Sequence, residues 1–199
     1  MGTRTFPLRA PARAALALTV ALAASAVGAP PEAARPRGET PAAREQARLC
    51  ERLNLEEGVA ACRAALALGI GLDRRGPLRE VLASHLVALE RWDELVDLLR
   101  ENVRLDPASA SAWQRLGVGL LFALGEPAEA ISALGEAVRL APGDASFRVD
   151  LGLALQAGGR PQEAAVAMEE ALRLDPSALD GRPAARAMLE AARRGETWP

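Results

Sequence analysis

Apolar residues in the C-terminal half of the chain recur at the spacing of helices with one apolar face. One stripe has the i, i+4, i+7, i+8 pattern and consists of Ala130, Leu134, Ala137 and Val138. Another stripe precedes it and consists of Trp113, Leu116, Gly117 and Leu120. Polar and charged residues such as Gln114, Arg115, Ser132 and Glu136 lie between the apolar positions of these segments. The pattern therefore predicts two consecutive amphipathic helices.

Glycine and proline mark the ends of these helices, and the marks repeat along the chain. Gly125 is expected to end the first helix, and Pro127 suits the first position of the second, where no N–H is needed. The segments RLDP, RLAP and RLDP end at Pro107, Pro142 and Pro176, so the spacings are 35 and 34 residues. A period of this size in a helical chain is typical of stacked helical hairpins.

The repeated unit resembles the tetratricopeptide repeat, with the pattern W-x2-L-G-x2-Y, then A-x3-F, then a closing proline over about 34 residues. The first matching unit carries Trp113, Leu116, Gly117, Leu120, Ala130, Leu134 and Pro142. The second carries Leu151, Gly152, Leu155, Ala164, Met168 and Pro176. Leucine stands in place of the aromatic positions. The first unit also has one extra residue between Gly117 and Gly125, hence its spacing of 35.

The resemblance implies an all-α fold, a right-handed α-solenoid of stacked antiparallel hairpins. We expect about four hairpins, over residues 41–75, 76–109, 110–144 and 145–178. The first is degenerate, because the stretch GIGLDRRGP closes it in place of a proline. Residues 182–194 carry apolar side chains on one side and Arg or Glu on the other, which predicts a capping helix. Residues 195–199 are expected to form a frayed tail.

The N-terminus has the layout of a secretory signal peptide. Arg4, Arg9 and Arg13 precede an uncharged run from Ala14 to Ala29. That run is short of the roughly 20 residues that span a bilayer as a helix. We expect residues 1–26 to be a cleaved signal, with an uncleaved membrane anchor as the alternative. The proline-rich residues 27–40 predict a disordered linker. The protein is therefore expected to be exported, in the periplasm or otherwise outside the cytoplasm.

Composition narrows the possible functions. The 199 residues carry a net charge of -2 and a pI near 5.6, which gives no electrostatic case for binding nucleic acid. The single histidine, His85, lies within a predicted helix, where a tolerated helix residue is far more common than a catalytic base. The sequence has no phosphate-binding loop, no nucleophile elbow and no metal-spaced His/Cys cluster. We expect no catalysis, no cofactor and no metal.

In the resembled family the first helix of each hairpin lines a concave groove. The repeat period assigns the groove-facing positions to Glu80, Ser84, Val87, Gln114, Val118, Leu121, Val149, Leu153 and Gln156, with Arg115 and Asp150 at the rim. An apolar groove of this kind suits an amphipathic helix or an extended apolar segment of a partner protein. The alternative is that these residues simply pack against one another. They do not resemble the clamp that grips a C-terminal carboxylate in some members of the family.

These observations favour a non-catalytic protein–protein interaction scaffold of the cell envelope. The alternative is a fixed structural or assembly subunit of an envelope complex, such as a pilus, secretion, outer-membrane or cytochrome-maturation machine. Such a subunit would use its convex face or its N-terminal anchor. The expected partners are proteins or peptides, with membrane contact only through an uncleaved N-terminal segment.

Both cysteines, Cys50 and Cys62, lie in the degenerate first hairpin. Export and an even cysteine count favour a disulfide, and a simple hairpin places the two residues at about the same level. The repeat register argues against it, because Cys62 takes a core position whereas Cys50 aligns with the groove side. The sequence leaves open a bridge or two free thiols with Cys62 in the core, and it gives little support to a metal site.

Overall fold

The computed structural model describes residues 40–53 and 55–194, apart from the side chains at 72 and 73. The predicted signal or anchor (1–26), almost all of the predicted linker (27–40) and the predicted tail (195–199) lie outside the described residues. The described part is helical throughout and has no strand, so the predicted all-α fold of helical hairpins is confirmed. None of its helices is both long enough and apolar enough to cross a bilayer.

Nine α-helices follow one another in this part of the chain. They are α1 Pro41–Arg52, α2 Leu55–Ala67, α3 Leu72–Ala88, α4 Trp92–Leu105, α5 Ala110–Gly119, α6 Pro127–Leu140, α7 Ala145–Ala157, α8 Pro161–Leu174 and α9 Pro183–Arg193. A π-helical turn, Leu120–Leu124, continues α5. The described residues up to Leu98 belong to one compact unit and those from Leu99 to another.

Six of these nine helices start with either a side-chain cap or a proline in the first turn. A side-chain oxygen of Thr40, Ser109 or Asp144 accepts a hydrogen bond from a first-turn N–H of α1, α5 or α7. This bond satisfies a donor that has no partner within the helix. Helices α6, α8 and α9 instead begin with a proline in the first turn, as Pro127 predicted, because the missing N–H is not needed there. Thr40, the last residue of the predicted linker, is thus part of the first helix cap.

The π-helical turn explains why one repeat is 35 residues long. The extra residue between Gly117 and Gly125 is absorbed at Leu120–Leu124, without a break in the helix. The N–H of Glu126 donates to the carbonyl of Leu120 at 2.9 Å, whereas the equivalent bond after α7 joins Arg160 to Leu155 and spans one residue less. The insertion is therefore accommodated by a wider helical turn, and the loop into α6 keeps its form.

The predicted boundary between the first two hairpins, at residues 75 and 76, is wrong. It falls inside α3, which starts at Leu72 and contains Pro77. The stretch interpreted as a closing loop therefore supplies the beginning of the next helix. The turn itself is shorter, with Gly69 at a positive φ of 78° and Ile70 buried behind it. Pro77 is the sixth residue of α3, beyond the first turn, so it removes one backbone hydrogen bond from the interior of this helix.

In the unit from Leu99 onward, each helix packs on the next along the chain from α5 to α9. Helices α5 and α6 approach each other closely at Gly117. A Cβ atom added at Gly117 would stand 2.5 Å from Leu134 Cγ and 3.1 Å from the carbonyl oxygen of Ala130. Gly152 of α7 faces Met168 of α8 in the same way, at 2.9 Å. The small residues of the repeat pattern thus mark where two helix backbones come together.

The turn between α3 and α4 carries strain that a single substitution should relieve. Glu90 has a φ of 55°, whereas Gly159 occupies the same kind of turn after α7 with a φ of 74°. A residue with a Cβ atom loses about 1–2 kcal/mol in this conformation. We expect Glu90→Gly to raise the free energy of unfolding by about 1 kcal/mol, measured by urea denaturation. Gly159→Ala should lower it by a similar amount, and a loss of stability in Glu90→Gly would contradict the account.

Candidate functional site

The predicted groove residues of the second unit lie on α5, on the π-helical turn that continues it, and on α7, which contacts α5. Gln114 of α5 donates from Nε2 to Oδ2 of Asp150 on α7 at 2.6 Å, and both residues are partly buried. The repeat period places these residues at neighbouring levels of the two helices. The structure brings them together as a direct hydrogen bond between consecutive hairpins.

Asp150 has another partner that the sequence pattern did not indicate. Arg182, the residue just before α9, donates from Nη1 to Oδ1 of Asp150 at 3.1 Å. One carboxylate therefore connects α5, α7 and the start of the capping helix. The separation of 32 residues follows no local periodicity, so only the chain path could reveal this contact.

Burial dominates the ionisation of this carboxylate. The side chain of Asp150 is 13% exposed. Removal from water raises the pKa of Asp150, and Arg182 and Gln114 offset only part of that effect. Arg115, the other predicted rim residue, is half-buried, and burial lowers the pKa of its guanidinium. The polar side of the groove is thus a partly dehydrated, hydrogen-bonded surface.

The raised pKa of Asp150 predicts a specific pH dependence of stability. Between the ordinary aspartate pKa of 3.8 and the raised value, the folded protein holds more protons than the unfolded chain. Stability from this group therefore falls as the pH rises through that window. Relative to Asp150→Asn, which does not titrate, the wild type should lose free energy of unfolding as the pH rises above about 4. Urea unfolding at several pH values checks this, and a difference that grows in favour of the wild type would contradict it.

The apolar side of the predicted groove is smaller than the sequence suggested. Val118 and Leu153 are half-buried and occupy equivalent repeat positions of α5 and α7. Leu121 is only 3% exposed and Val149 is fully buried, so neither offers free surface to a partner. Their assignment to an open groove is therefore wrong, and for these two residues the packing alternative is the right one. Gln156 remains half-buried at the end of α7.

The capping helix explains why Val149 is buried. Val149 belongs to a core cluster with Ala145, Met168, Ala171, Leu179, Ala185, Met188 and Leu189. The last three of these residues lie on α9, which packs against α8 and α7. Leu153 packs against the edge of the same cluster. The repeat period assigns Val149 to one face of α7. The position of α9 then decides whether that face is exposed to solvent.

The remaining predicted groove residues lie on α3, in the unit up to Leu98. Glu80 and Ser84 are half-buried, and the Ser84 hydroxyl donates to the backbone carbonyl of Glu80 at 3.0 Å. Val87 is 5% exposed and belongs to the core. The assignment of Val87 to an open groove surface is therefore corrected as well.

The repeat-defining residues have the structural roles that the pattern implies. Most of them are buried, namely Leu116, Gly117, Leu120, Ala130, Leu134, Gly152, Leu155, Ala164 and Met168. Leu151 is half-buried beside Leu155 and Ala164. Trp113 is half-buried and donates from Nε1 to the carbonyl of Pro107 at 3.0 Å. Pro142 and Pro176 stand just after α6 and α8, where they end the hairpins.

The structure joins Cys50 and Cys62 in a disulfide, with Cα atoms 4.6 Å apart. The repeat register placed Cys50 on the groove side, and this placement is wrong. In α1 the buried residues are Ala43, Ala47 and Cys50, so the helix turns its small side chains toward α2. The positions around them hold charged residues such as Arg48 and Glu51. In α1 the small residues determine which face is buried. The repeat register of the later hairpins therefore does not apply to this helix.

His85 has a structural role beside this disulfide. Its Nε2 lies 3.1 Å from the carbonyl oxygen of Cys50, and since a carbonyl only accepts, the N–H at Nε2 donates this bond. Gly58 makes room for the ring, because a Cβ atom there would stand 2.6 Å from His85 Nε2. The histidine thus links α3 to α1. In the described part of the chain, no group of three or more His, Cys, Asp or Glu side chains is arranged to hold a metal ion.

Helical hairpins with a 34-residue period, small residues at the helix contacts and a closing proline define the class of fold, which is that of tetratricopeptide-repeat proteins. Residues 118–178 match the family described as Tetratricopeptide repeat. No curated protein matches the sequence significantly.

Among solved structures, the chain is similar to the MamA protein, with 21% identity, a TM-score of 0.63 and coverage of 77% of this chain and 82% of that one. A MamA fragment, 41-end, from Desulfovibrio magneticus RS-1 gives 21% identity, a TM-score of 0.64 and coverage of 80% and 89%. TTC0263, a thermophilic TPR protein in Thermus thermophilus, gives 23% identity, a TM-score of 0.55 and coverage of 74% and 78%. At these identities the likeness concerns the fold.

Proposed function

We propose that this protein is a non-catalytic, exported interaction scaffold that binds an apolar helix or extended segment of a partner protein along α5 and α7. The observation that carries the proposal is the paired exposure of Val118 and Leu153 at equivalent positions of adjacent repeats. Stacked hairpins present such positions as a continuous strip, which suits a linear segment better than a small molecule.

The polar neighbours of the strip support the same interpretation. Gln114 and Asp150 are hydrogen-bonded to each other, and Arg182 holds Asp150 from the side of α9. These contacts hold α5 and α7 in a fixed relation before a partner arrives. A preorganised surface loses less conformational entropy on binding, so a small apolar strip with a polar border is sufficient for a specific contact.

Site-specific photocrosslinking in the native host tests the strip directly. A photoreactive amino acid at Val118 should give adducts with a partner, whereas the same residue at Val166, a 56% exposed position of α8, should not. Val118→Glu should then weaken capture of that partner at least tenfold, and Val166→Glu should leave capture unchanged. Equal crosslinking at both positions, or unchanged capture by Val118→Glu, would overturn groove binding and favour a fixed assembly role for another face.

The export part of the proposal has its own support and test. A charged start followed by an apolar run over residues 1–26 is typical of a secretory signal, and a structural disulfide is typical of an oxidising compartment. Mass spectrometry of the protein from fractionated cells should find a mature form that lacks about the first 26 residues outside the cytoplasm. Full-length protein confined to the cytoplasm would contradict export.

A further inference from the structure

The first hairpin has a core of unusually small side chains. The buried residues of α1 and α2 are Ala43, Ala47, Cys50, Gly58, Val59, Ala61, Cys62 and Ala65. The largest of them is Val59. The last complete hairpin buries Phe147, Val149, Leu155 and Met168 instead. Because hydrophobic stabilisation scales with the apolar area removed from water, packing alone holds α1 to α2 more weakly than it holds α7 to α8.

Besides its packing on α3, this hairpin is joined to the next one by ion pairs between partly exposed side chains. Glu51 of α1 lies 3.7 Å from Arg74 of α3, with side chains 51% and 26% exposed. Glu56 and Arg63 of α2 pair with Arg91 and Glu94 at the start of α4. Arg91 and Arg63 lower the pKa of Glu94 to about 2, but ion pairs at this level of exposure add little to stability. The hydrogen bond from His85 to the Cys50 carbonyl is the more buried link.

The disulfide adds stability that the packing of these small side chains does not provide. It closes a loop with a sequence separation of 12 residues and joins the last turn of α1 to the second half of α2. A cross-link of this length disfavours the open chain by about a hundredfold in the equilibrium constant. Both cysteine side chains are fully buried, so a reductant reaches the sulfur atoms only when the hairpin opens.

We infer that the first hairpin is a redox-conditional cap: the Cys50–Cys62 bond keeps it folded, and reduction of that bond lets α1 and α2 open away from α3. In the oxidising direction, the two thiols exchange with the disulfide of a dithiol–disulfide exchange protein. Two electrons and two protons pass to the exchange protein, which leaves as a dithiol. In the reducing direction, an external dithiol attacks one sulfur, and its second thiol resolves the mixed disulfide to free both cysteines.

Opening would change the surface at this end of the repeats. Helix α3 packs against both α1 and α2, and it buries Leu78, Leu82 and Leu86. Loss of the first hairpin would leave the covered side of α3 in water. An exposed apolar helix face at the end of a repeat array is a binding or self-association surface. The bond therefore determines whether the repeats end in a closed cap or in an open apolar face.

Hydrogen exchange followed by mass spectrometry tests the inference on the whole protein with its native sequence. After reduction with excess dithiothreitol, peptides from residues 41–67 should exchange about a hundredfold faster than in the oxidised protein. Peptides from residues 110–174 should be unchanged, which provides an internal control. Equal protection of 41–67 in both states would overturn the cap, and so would a uniform acceleration across both regions.

A cysteine-free variant distinguishes the effect of losing the disulfide from any other effect of the reductant. Cys50→Ala/Cys62→Ala should show fast exchange over residues 41–67 with or without dithiothreitol. Reduced wild type retains both sulfur atoms, so its agreement with the variant would exclude a cavity as the cause. The disulfide of the wild type should also be reduced far faster in urea than in buffer, because its sulfur atoms are buried in the folded state. Reduction at the same rate in both conditions would contradict the need for opening.

Discussion

Gly117→Ala should lower the free energy of unfolding by about 2 kcal/mol. The new Cβ atom would stand 2.5 Å from Leu134 Cγ and 3.1 Å from the carbonyl oxygen of Ala130. A rotamer change at Leu134 would relieve only the first contact, because the second involves the backbone of α6. Helices α5 and α6 would have to separate, and Leu134 is fully buried between its neighbours. The intrinsic gain of alanine over glycine in a helix, about 1 kcal/mol, is smaller than this cost.

Gly135→Ala is the matched control for this substitution. Gly135 lies in the next helix, and a Cβ atom there meets nothing within 4 Å. The same change should therefore raise the free energy of unfolding by about 0.5–1 kcal/mol through helix propensity alone. Urea unfolding followed by circular dichroism measures both variants. If Gly117→Ala were as stable as the wild type, the close approach of α5 and α6 would be wrong.

Val149→Asp should cost about 4 kcal/mol or more, which is a large part of the stability of a typical domain. Val149 is fully buried within the cluster that α7, α8 and α9 share. Neither the methionine nor the leucine side chains of that cluster can accept or donate a strong hydrogen bond to a carboxyl group. The aspartate would be either a charge without a partner or a protonated acid without one, and both are expensive in an apolar interior.

Val166→Asp tests whether the effect comes from burial. Val166 is also a helical valine, on α8, but it is 56% exposed. Its replacement should change the free energy of unfolding by no more than about 0.5 kcal/mol. A similar result for both valines would mean that Val149 faces solvent, as a groove position would. Thermal unfolding of the two variants side by side is sufficient to distinguish the outcomes.

Much of the helical architecture could be predicted from local patterns. The i, i+4, i+7 stripes and the 34-residue period depend on residues close together in the sequence, and they predict hairpins such as α5 with α6. The extra residue before Gly125 was visible as a spacing of 35. Its accommodation by a π-helical turn was not, since this depends on the backbone hydrogen bonds available between Leu120 and Glu126.

The boundary between the first two hairpins was less predictable for a physical reason. A proline usually marks a helix end, and Pro77 suggests one near residue 75. In the structure α3 begins at Leu72 and continues through Pro77, so this proline lies within a helix and does not mark its end. The degenerate repeat also lacks the bulky residues whose spacing would show which face of α1 is buried.

By itself, the sequence determined the helical class, the repeat period and the positions where two helices touch, because these follow from backbone geometry over short spans. Only the tertiary structure decided which predicted groove positions are open. Val118 and Leu153 keep some exposure, whereas α9 covers Val149, and Arg182 reaches Asp150 across 32 residues. Burial and ion pairing depend on which segments meet in space. Periodicity assigns a side chain to a face of its own helix, and the packing of distant helices then determines what that face contacts.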